Sequence, residues 1–473
     1  MEQLVDLVLD IRPEIVYAIR LLIAVLVTVH VLLTKREVGS SVAWIGLVWL
    51  SPILGGLTYF VFGINRVRRR ARTLLSHPHR KHRHQPPETG EGAHLRPLRK
   101  GIGAITGRPV EAGNAVTVLQ NGDEAYPAML SAIAEAKTSI ALSSYIMRAD
   151  NIGLTFVRAL EEAQARGVEV RAIVDGIGSG WIRSPTYTAL RAAGIKAGRF
   201  MHSFLPWRMA FLNLRTHRKI LLVDGTRAFV GGINIGDENV LARKPRDPVL
   251  DTHFEIRGPV VPQLAEVFAE DWSFLSDEEL EGPAWFAPQA AHGGAAARVI
   301  SAGPDQDIDK IESAVLQAIS CARESIRVMT PYFLPDHQIL TALSLAAMRG
   351  VSVEIIVPEQ GNHRIIDWAI RAHVWQILHN GCRVTRSPLP FRHAKLCVID
   401  GEWSLIGSSN WDIRSFRLNF EVCVEVYDKA LAATLEKQMD DSYGRPLTLD
   451  DLKSASLPVR LRNAAARLLL PYL

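Results

Sequence analysis

Two long apolar stretches open the chain. Residues 42–64 run for 23 positions without a formal charge. As a helix rising 1.5 Å per residue they would cross a hydrocarbon core of roughly 30 Å, which makes them the firmer of two predicted membrane spans. Trp44, Trp49 and Tyr59 lie near the ends of this run or one turn inside, and Gly55-Gly56 suits close helix contact. Residues 15–34 are the weaker span, because Arg20 leaves only 14 uncharged positions after it. That stretch fits a snorkelling span, a re-entrant segment or an interfacial helix. No small-x-small cleavage site follows before the second run, which argues against a removed signal peptide. Residues 66–112 show no apolar period and read as a basic His/Pro-rich linker.

Beyond the linker, short apolar runs alternate with helical stretches, so the expected fold class is α/β. Residues 140–146 and 326–333 are β-rich and reach Tyr145 and Tyr332, each followed by a helical stretch ending in Arg-Gly. Residues 168–175 and 351–358 are continuous apolar strands of the kind buried in a mixed sheet. The expected organisation is a membrane segment (1–65), the linker (66–112), two similar halves (113–287 and 288–450) and a C-terminal amphipathic helix (451–473). In that last segment Arg460, Arg462 and Arg467 recur at helical spacing among Leu and Ala. It suits a bilayer surface or the protein's own core equally well.

Charge changes this picture in one place. Residues 66–100 hold eleven Lys or Arg against two Glu, whereas the whole chain is only +5, so the remainder is acidic. The pI of about 9.0 therefore describes a short stretch and not a nucleic-acid-binding surface. Five arginines follow the second apolar run and only Lys35 and Arg36 precede it, which puts the bulk of the protein in the cytoplasm. The acidic extreme N-terminus fits that side poorly. His77, His79, His82, His84 and His94 make the linker histidine-rich, a composition that binds metal adventitiously more readily than it builds a site. Cys321, Cys382, Cys397 and Cys423 form no CxxC pair and read as core residues.

The strongest signal is internal repetition. The first half contains His217-Arg-Lys219, Asp224-Gly225 and Gly231-Gly-Ile-Asn234; the second contains His393-Ala-Lys395, Asp400-Gly401 and Gly407-Ser-Ser-Asn410. His to Lys is two positions, His to Asp seven and His to Asn seventeen in both copies. A structural repeat would duplicate core residues, yet what repeats is His, Lys and Asn, which cores avoid. In each copy a strand is expected to present His and Lys on one face. One site built from both copies suits a phosphodiester. Lysines and asparagines stabilise the charge of five-coordinate phosphorus, one neutral imidazole attacks, and the other, protonated, delivers a proton to the leaving alkoxide. The lysines provide the cations, so the set calls for no metal or cofactor. Each imidazole needs an acceptor on its second nitrogen, and Asp251 and Glu421, which follow the two motifs, are preferred over Asp224 and Asp400. The last two, though part of the repeated signature, sit where a turn is expected.

These motifs resemble the HKD signature of the phospholipase D superfamily over residues 116–428. The runs Asn213-Leu-Arg-Thr-His217, Gly231-Gly-Ile-Asn-Ile-Gly-Asp237, Phe391-Arg-His393 and Asp412-Ile-Arg-Ser-Phe-Arg-Leu-Asn-Phe-Glu421 are more closely similar to bacterial cardiolipin synthases, as is the N-terminal hydrophobic hairpin. The resemblance implies two phospholipase D-like halves packed as a pseudo-twofold pair. It implies a phosphatidyl-histidine intermediate on His217 with His393 as acid and then base, although two such similar copies leave the reverse assignment open. It also implies phosphatidylglycerol as substrate, phosphatidylethanolamine as an alternative second substrate, an inner-membrane location and homodimerisation as an open question. Tyr145, Tyr332, His363 and Arg414 become headgroup contacts by family position. The apolar runs 204–207 and 209–212, just before the first motif, suggest membrane contact. The competing functions are a hydrolytic phospholipase D, a membrane-anchored nuclease or phosphodiesterase, and an inactive scaffold.

Overall fold

The computed structural model describes residues 13–34, 38–63, 93–180, 183–200, 214–276, 278–303 and 309–470. Residues 204–212, the four linker histidines from His77 to His84 and the five arginines from Arg66 to Arg72 lie outside the described residues. The chain divides into two units, Met1–Leu75 and Ser76–Leu473.

In the first unit the two apolar stretches exchange the roles expected of them. Pro13–Thr34 is one continuous 22-residue helix, and Glu14–Thr34 within it is long and apolar enough to cross a membrane. Residues 42–64 do not form a single helix: Val38–Leu50 stops, and Pro52–Thr58 begins a second helix that passes into a π-helical turn at Tyr59–Gly63. The break falls at Ser51, whose backbone (φ −143°, ψ 82°) leaves the helical region, because Pro52 has no N–H to continue the ladder. Arg20 is accommodated without interrupting the first helix. Tyr59 Oη lies 2.7 Å from His30 Nδ1, Trp49 Nε1 donates to Thr28 Oγ1, and Gly56 faces Ile23 so closely that a Cβ there would come within 2.5 Å.

The second unit is built on one large mixed sheet. The first half supplies β1 (Glu111–Gln120), β2 (Ser139–Ser144), β3 (Glu169–Asp175), β4 (Lys196–Phe200), β5 (Ile220–Val223), β6 (Arg227–Gly231) and β7 (Thr252–Arg257). The second half supplies seven equivalents: β8 (Ala295–Ala302), β9 (Ser325–Met329), β10 (Ser352–Pro358), β11 (Arg383–Ser387), β12 (Leu396–Ile399), β13 (Trp403–Gly407) and β14 (Asn419–Tyr427). Within the first half the spatial order is β1-β7-β6-β5-β2-β3-β4, and within the second β8-β14-β13-β12-β9-β10-β11. The same order in both halves, joined where β1 pairs antiparallel with β8, makes them a pseudo-twofold pair. Strands β2, β3 and β4 are parallel and β5, β6 and β7 antiparallel, which explains the continuous apolar runs of β3 and β10 against the hairpin signals further on.

Three apolar cores hold the sheet. One lies under each half's outer helices, and a third is shared, with Ala141, Ile173 and Ile220 of the first half packed in one cluster with Met329, Ile356 and Leu396 of the second. The halves are therefore not independently packed domains. The linker also ends earlier than its composition suggests. Helix Arg96–Thr106 buries Leu98 and Ile102 against the second half's core, and Leu95 just before it completes an i, i+3, i+7 stripe among charges that mask it. His94, counted among the linker histidines, instead sets its Nε2 3.0 Å from Asp400 Oδ2.

Candidate active site

Each His-x-Lys motif sits in extended chain just before a hairpin strand, β5 or β12, and not in the strand itself. The reason is that the backbone leading into each motif pairs with the opposite half. Arg215 and Thr216 pair in parallel with Asn419 and Phe420, and the His217 N–H donates to the Phe420 carbonyl at 2.9 Å. Phe391 and Arg392 pair with Val249 and Leu250, and the His393 N–H donates to the Leu250 carbonyl at 2.7 Å. Two buried motifs are thus pinned to each other's halves.

The orienting carboxylates are exchanged in the same way. Glu421, which follows the second motif, holds the first-half histidine: His217 Nδ1 lies 3.0 and 3.1 Å from its two oxygens. Asp251, which follows the first motif, holds the second-half histidine, 2.7 Å from His393 Nδ1. A carboxylate in this position accepts from Nδ1–H and so fixes the tautomer that leaves Nε2 unprotonated for chemistry. Glu421 also accepts from Ser408 Oγ and, at 3.1 Å, from Asn419 Nδ2. Asp251 accepts at 2.7 Å from the Thr252 N–H.

The lysines share this buried space. Lys219 Nζ donates to the His217 carbonyl at 2.8 Å and lies 5.2 Å from the centre of the Tyr145 ring. Lys395 Nζ donates to the His393 carbonyl and lies 2.9 Å from His393 Nδ1. Burial pushes Lys219 down to about 7, with Lys395 adding like charge, and Lys395 down to about 8. Burial, reinforced by both lysines, holds His217 well below the ordinary imidazole range and His393 at about 4. The carboxylates diverge. Burial raises Glu421 to about 7, whereas Lys395 and His393 outweigh burial at Asp251 and hold it below its ordinary value.

The remaining predicted residues fall into three places. Asn234 Oδ1 accepts from the Ile146 N–H at 3.3 Å, and the buried Asn410 Oδ1 has no hydrogen-bond partner among the described residues. Tyr145 packs edge-on against His217 at 4.9 Å between ring centres, Tyr332 takes the matching position 6.3 Å from His393, and His363 lies 6.3 Å beyond Tyr332. Arg414 is close enough for its charge to act on both His217 and Tyr145. Asp224 and Asp400 lie elsewhere. Each sits with positive φ at the hairpin turn, beyond a four-residue strand, or roughly 16 Å of extended chain from its lysine. Asp224 accepts from the N–H groups of Lys137, Thr138 and Ser139, and Asp400 from those of Arg323, Glu324 and Ser325. Their carboxylates fasten a turn and do not reach the imidazoles of His217 and His393, so these two aspartates do not belong with His and Lys in the catalytic group.

Sequence reasoning passed over several supports. Asp175, at the end of β3, accepts from the Thr216 N–H at 2.9 Å and so steadies the residue before His217; a buried Asp closing an apolar strand was the available signal. Arg218, the middle residue of the first motif, donates to the carbonyls of Glu421 and Ala302 and pairs with buried Asp271. Its counterpart Ala394 marks the position as a departure from the repeat.

Two His-x-Lys halves closing on one buried site define a protein of the phospholipase D class. The family model described as the cardiolipin synthase, PLD-like domain matches residues 129–272 and 315–443, and a phospholipase D-nuclease N-terminal model matches residues 22–63. A cardiolipin synthase of Geobacillus kaustophilus is 33% identical over 93% of this chain and 90% of its own length. Cardiolipin synthase A of Pseudomonas aeruginosa strain LESB58 is 33% identical over 94% of this chain and 93% of its own. A phosphatidylserine synthase structure from Haemophilus influenzae Rd KW20 shares the fold, with a TM-score of 0.62 at 14% identity over 80% of this chain and the whole of that one. The chain belongs to the cardiolipin synthase family of phospholipase D-like enzymes, membrane-associated proteins that act on phospholipids.

Proposed function

We propose that this phosphatidyltransferase joins two phosphatidylglycerol molecules into cardiolipin and releases glycerol, using His217 as nucleophile and His393 as the proton carrier. His217 Nε2 attacks phosphorus, the bond from phosphorus to the glycerol oxygen breaks, and His393 gives that oxygen its proton. A hydroxyl of the second phosphatidylglycerol then returns a proton to His393 while its oxygen attacks phosphorus and the P–N bond breaks. Lys219, Lys395, Asn234 and Asn410 bind the non-bridging oxygens. The lysines that depress both imidazoles also suit this sequence, because a phosphodiester anion between them offsets their charge and lifts His393 toward the protonated form it needs.

The observation that carries the reading is the reciprocal pairing of His217 with Glu421 and His393 with Asp251 beside two buried lysines. It supplies two imidazoles with fixed tautomers in one site, the minimum for a covalent double displacement. The arginines after the second apolar stretch support a catalytic unit on the cytoplasmic side of a bacterial inner membrane. The test is the full chain in vesicles with glycerol-labelled phosphatidylglycerol, with and without phosphatidylethanolamine. Cardiolipin plus labelled glycerol is expected from phosphatidylglycerol alone. Phosphatidic acid without cardiolipin would replace this reading with a hydrolase, and cardiolipin formed only when phosphatidylethanolamine is present would change the substrate pair.

A further inference from the structure

The helix Leu457–Arg467 has two apolar faces, and one of them packs on the helix Arg364–His373. Its inner face is Val459, Asn463 and Ala466, continued by Leu470, at intervals of four, three and four, and these are buried or half-buried. They pack with the helix Arg364–His373, where the Arg462 guanidinium lies 4.4 Å over the Trp368 ring. Leu457, Leu461 and Leu468 recur at intervals of four and seven on the opposite side, 65%, 61% and 77% exposed. A helix merely docked on a core carries polar residues on that side. By contrast, Leu154 is the one large apolar side chain exposed in the described part of the first half.

The charge around the leucines identifies what they meet. Residues 457–470 contain Arg460, Arg462 and Arg467 and no acidic residue, and Arg460 and Arg467 are exposed along the edge of the leucine stripe. Pairing this face with a second copy would bring the arginines of both together without a counter-charge. An anionic bilayer offers apolar depth for the leucines and phosphate at the level of the arginines. We propose that this outer face docks the catalytic unit onto an anionic phospholipid surface. The placement relative to the site fits: the inner partner helix starts directly after His363, whose ring faces Tyr332, which in turn faces His393. Docking here brings the rim of the site to headgroup level, whichever phospholipid the site turns over.

The test needs no turnover, so it stands apart from the proposed reaction. The full chain carrying Cys321→Ser and Leu461→Cys is labelled with an environment-sensitive fluorophore and placed in vesicles of phosphatidylcholine and phosphatidylglycerol containing spin-labelled lipid. Quenching about threefold stronger than for the same label at Glu162→Cys, on an exposed first-half helix, is expected. Adding Arg460→Glu and Arg467→Glu should weaken it, whereas Leu461→Cys in pure phosphatidylcholine should be quenched less than with phosphatidylglycerol. Quenching no stronger than at the Glu162→Cys position would overturn the proposal. Disulfide cross-linking between Leu461→Cys copies without lipid quenching would also overturn it, by showing that a second copy covers the face.

Discussion

His393 donates to a carboxylate held below its ordinary value, whereas His217 donates to one raised to about 7, although the two motifs match position for position. The difference comes from what stands beside each carboxylate. Asp251 lies against Gly232, where a Cβ would come within 2.3 Å of its Oδ1, and Lys395 and His393 supply its counter-charge. At Glu421, where Ser408 replaces Gly232 and its hydroxyl bonds the carboxylate, burial outweighs both Lys219 and that hydrogen bond, which pull the other way. A fully ionised partner stabilises an imidazolium, which a proton carrier must become. A weaker partner pushes less electron density onto the ring and makes a better leaving group of a phosphorylated imidazole. Equal motifs thus acquire unequal chemistry from their surroundings, in the direction that favours His217 as nucleophile.

The largest effect should separate the two histidines outright. His217→Ala and His393→Ala should each lower phosphatidylglycerol turnover by about 10⁴-fold or more. A phosphatidyl ester with a nitrophenol leaving group, which needs no proton, should restore a first burst of nitrophenol in His393→Ala and none in His217→Ala. The opposite pattern would exchange the roles, and equal rescue of both would erase the division of labour.

The carboxylates come next. Asp251→Asn should cost about 10³-fold in kcat and Glu421→Gln only about tenfold, because the second replacement resembles a state that the carboxyl already occupies near neutral pH. Equal losses would remove the electrostatic contrast. The pH profile offers a finer reading. Below about 7 Glu421 takes up a proton and activity should fall; above about 7 Lys219 loses its proton, and activity should fall again. Glu421 raises the lysine, so Glu421→Gln should erase the acid limb and shift the alkaline limb to lower pH. An unmoved profile would sink that coupling. The smallest catalytic effect belongs to the turn aspartates: Asp224→Ala or Asp400→Ala should lower unfolding free energy by about 2 kcal/mol in denaturant titrations while leaving kcat per folded molecule within a few-fold. A loss on the histidine scale would return them to the chemistry.

Much of the centre was legible because it is local. His, Lys and Asn recur at fixed spacing, and the spacing survives folding as matching positions around β5 and β12. The turn aspartates could also be read, since Asp-Gly after an apolar run predicts the positive φ they adopt. The exchange of carboxylates could not. Asp251 and Glu421 each follow their own motif, and only the antiparallel join of β1 and β8 decides that each reaches across it. The break in the second apolar stretch was missed for a different reason. A count of uncharged residues favoured 42–64, while Pro52, visible throughout, decided where a helix could continue. Helix Arg96–Thr106 was lost because Arg96, Arg99 and Lys100 obscured the apolar positions Leu95, Leu98 and Ile102.

The exchanged carboxylates also bear on how such a chain can change over generations. Each imidazole depends on an acid 204 or 142 positions away in the opposite copy, so compensating substitutions should appear between copies more than within them. One copy expressed alone would hold a histidine and an acid that cannot serve each other, and only association with a like copy would complete either pair. Duplication in this protein has joined two partners into one chain without freeing either to drift.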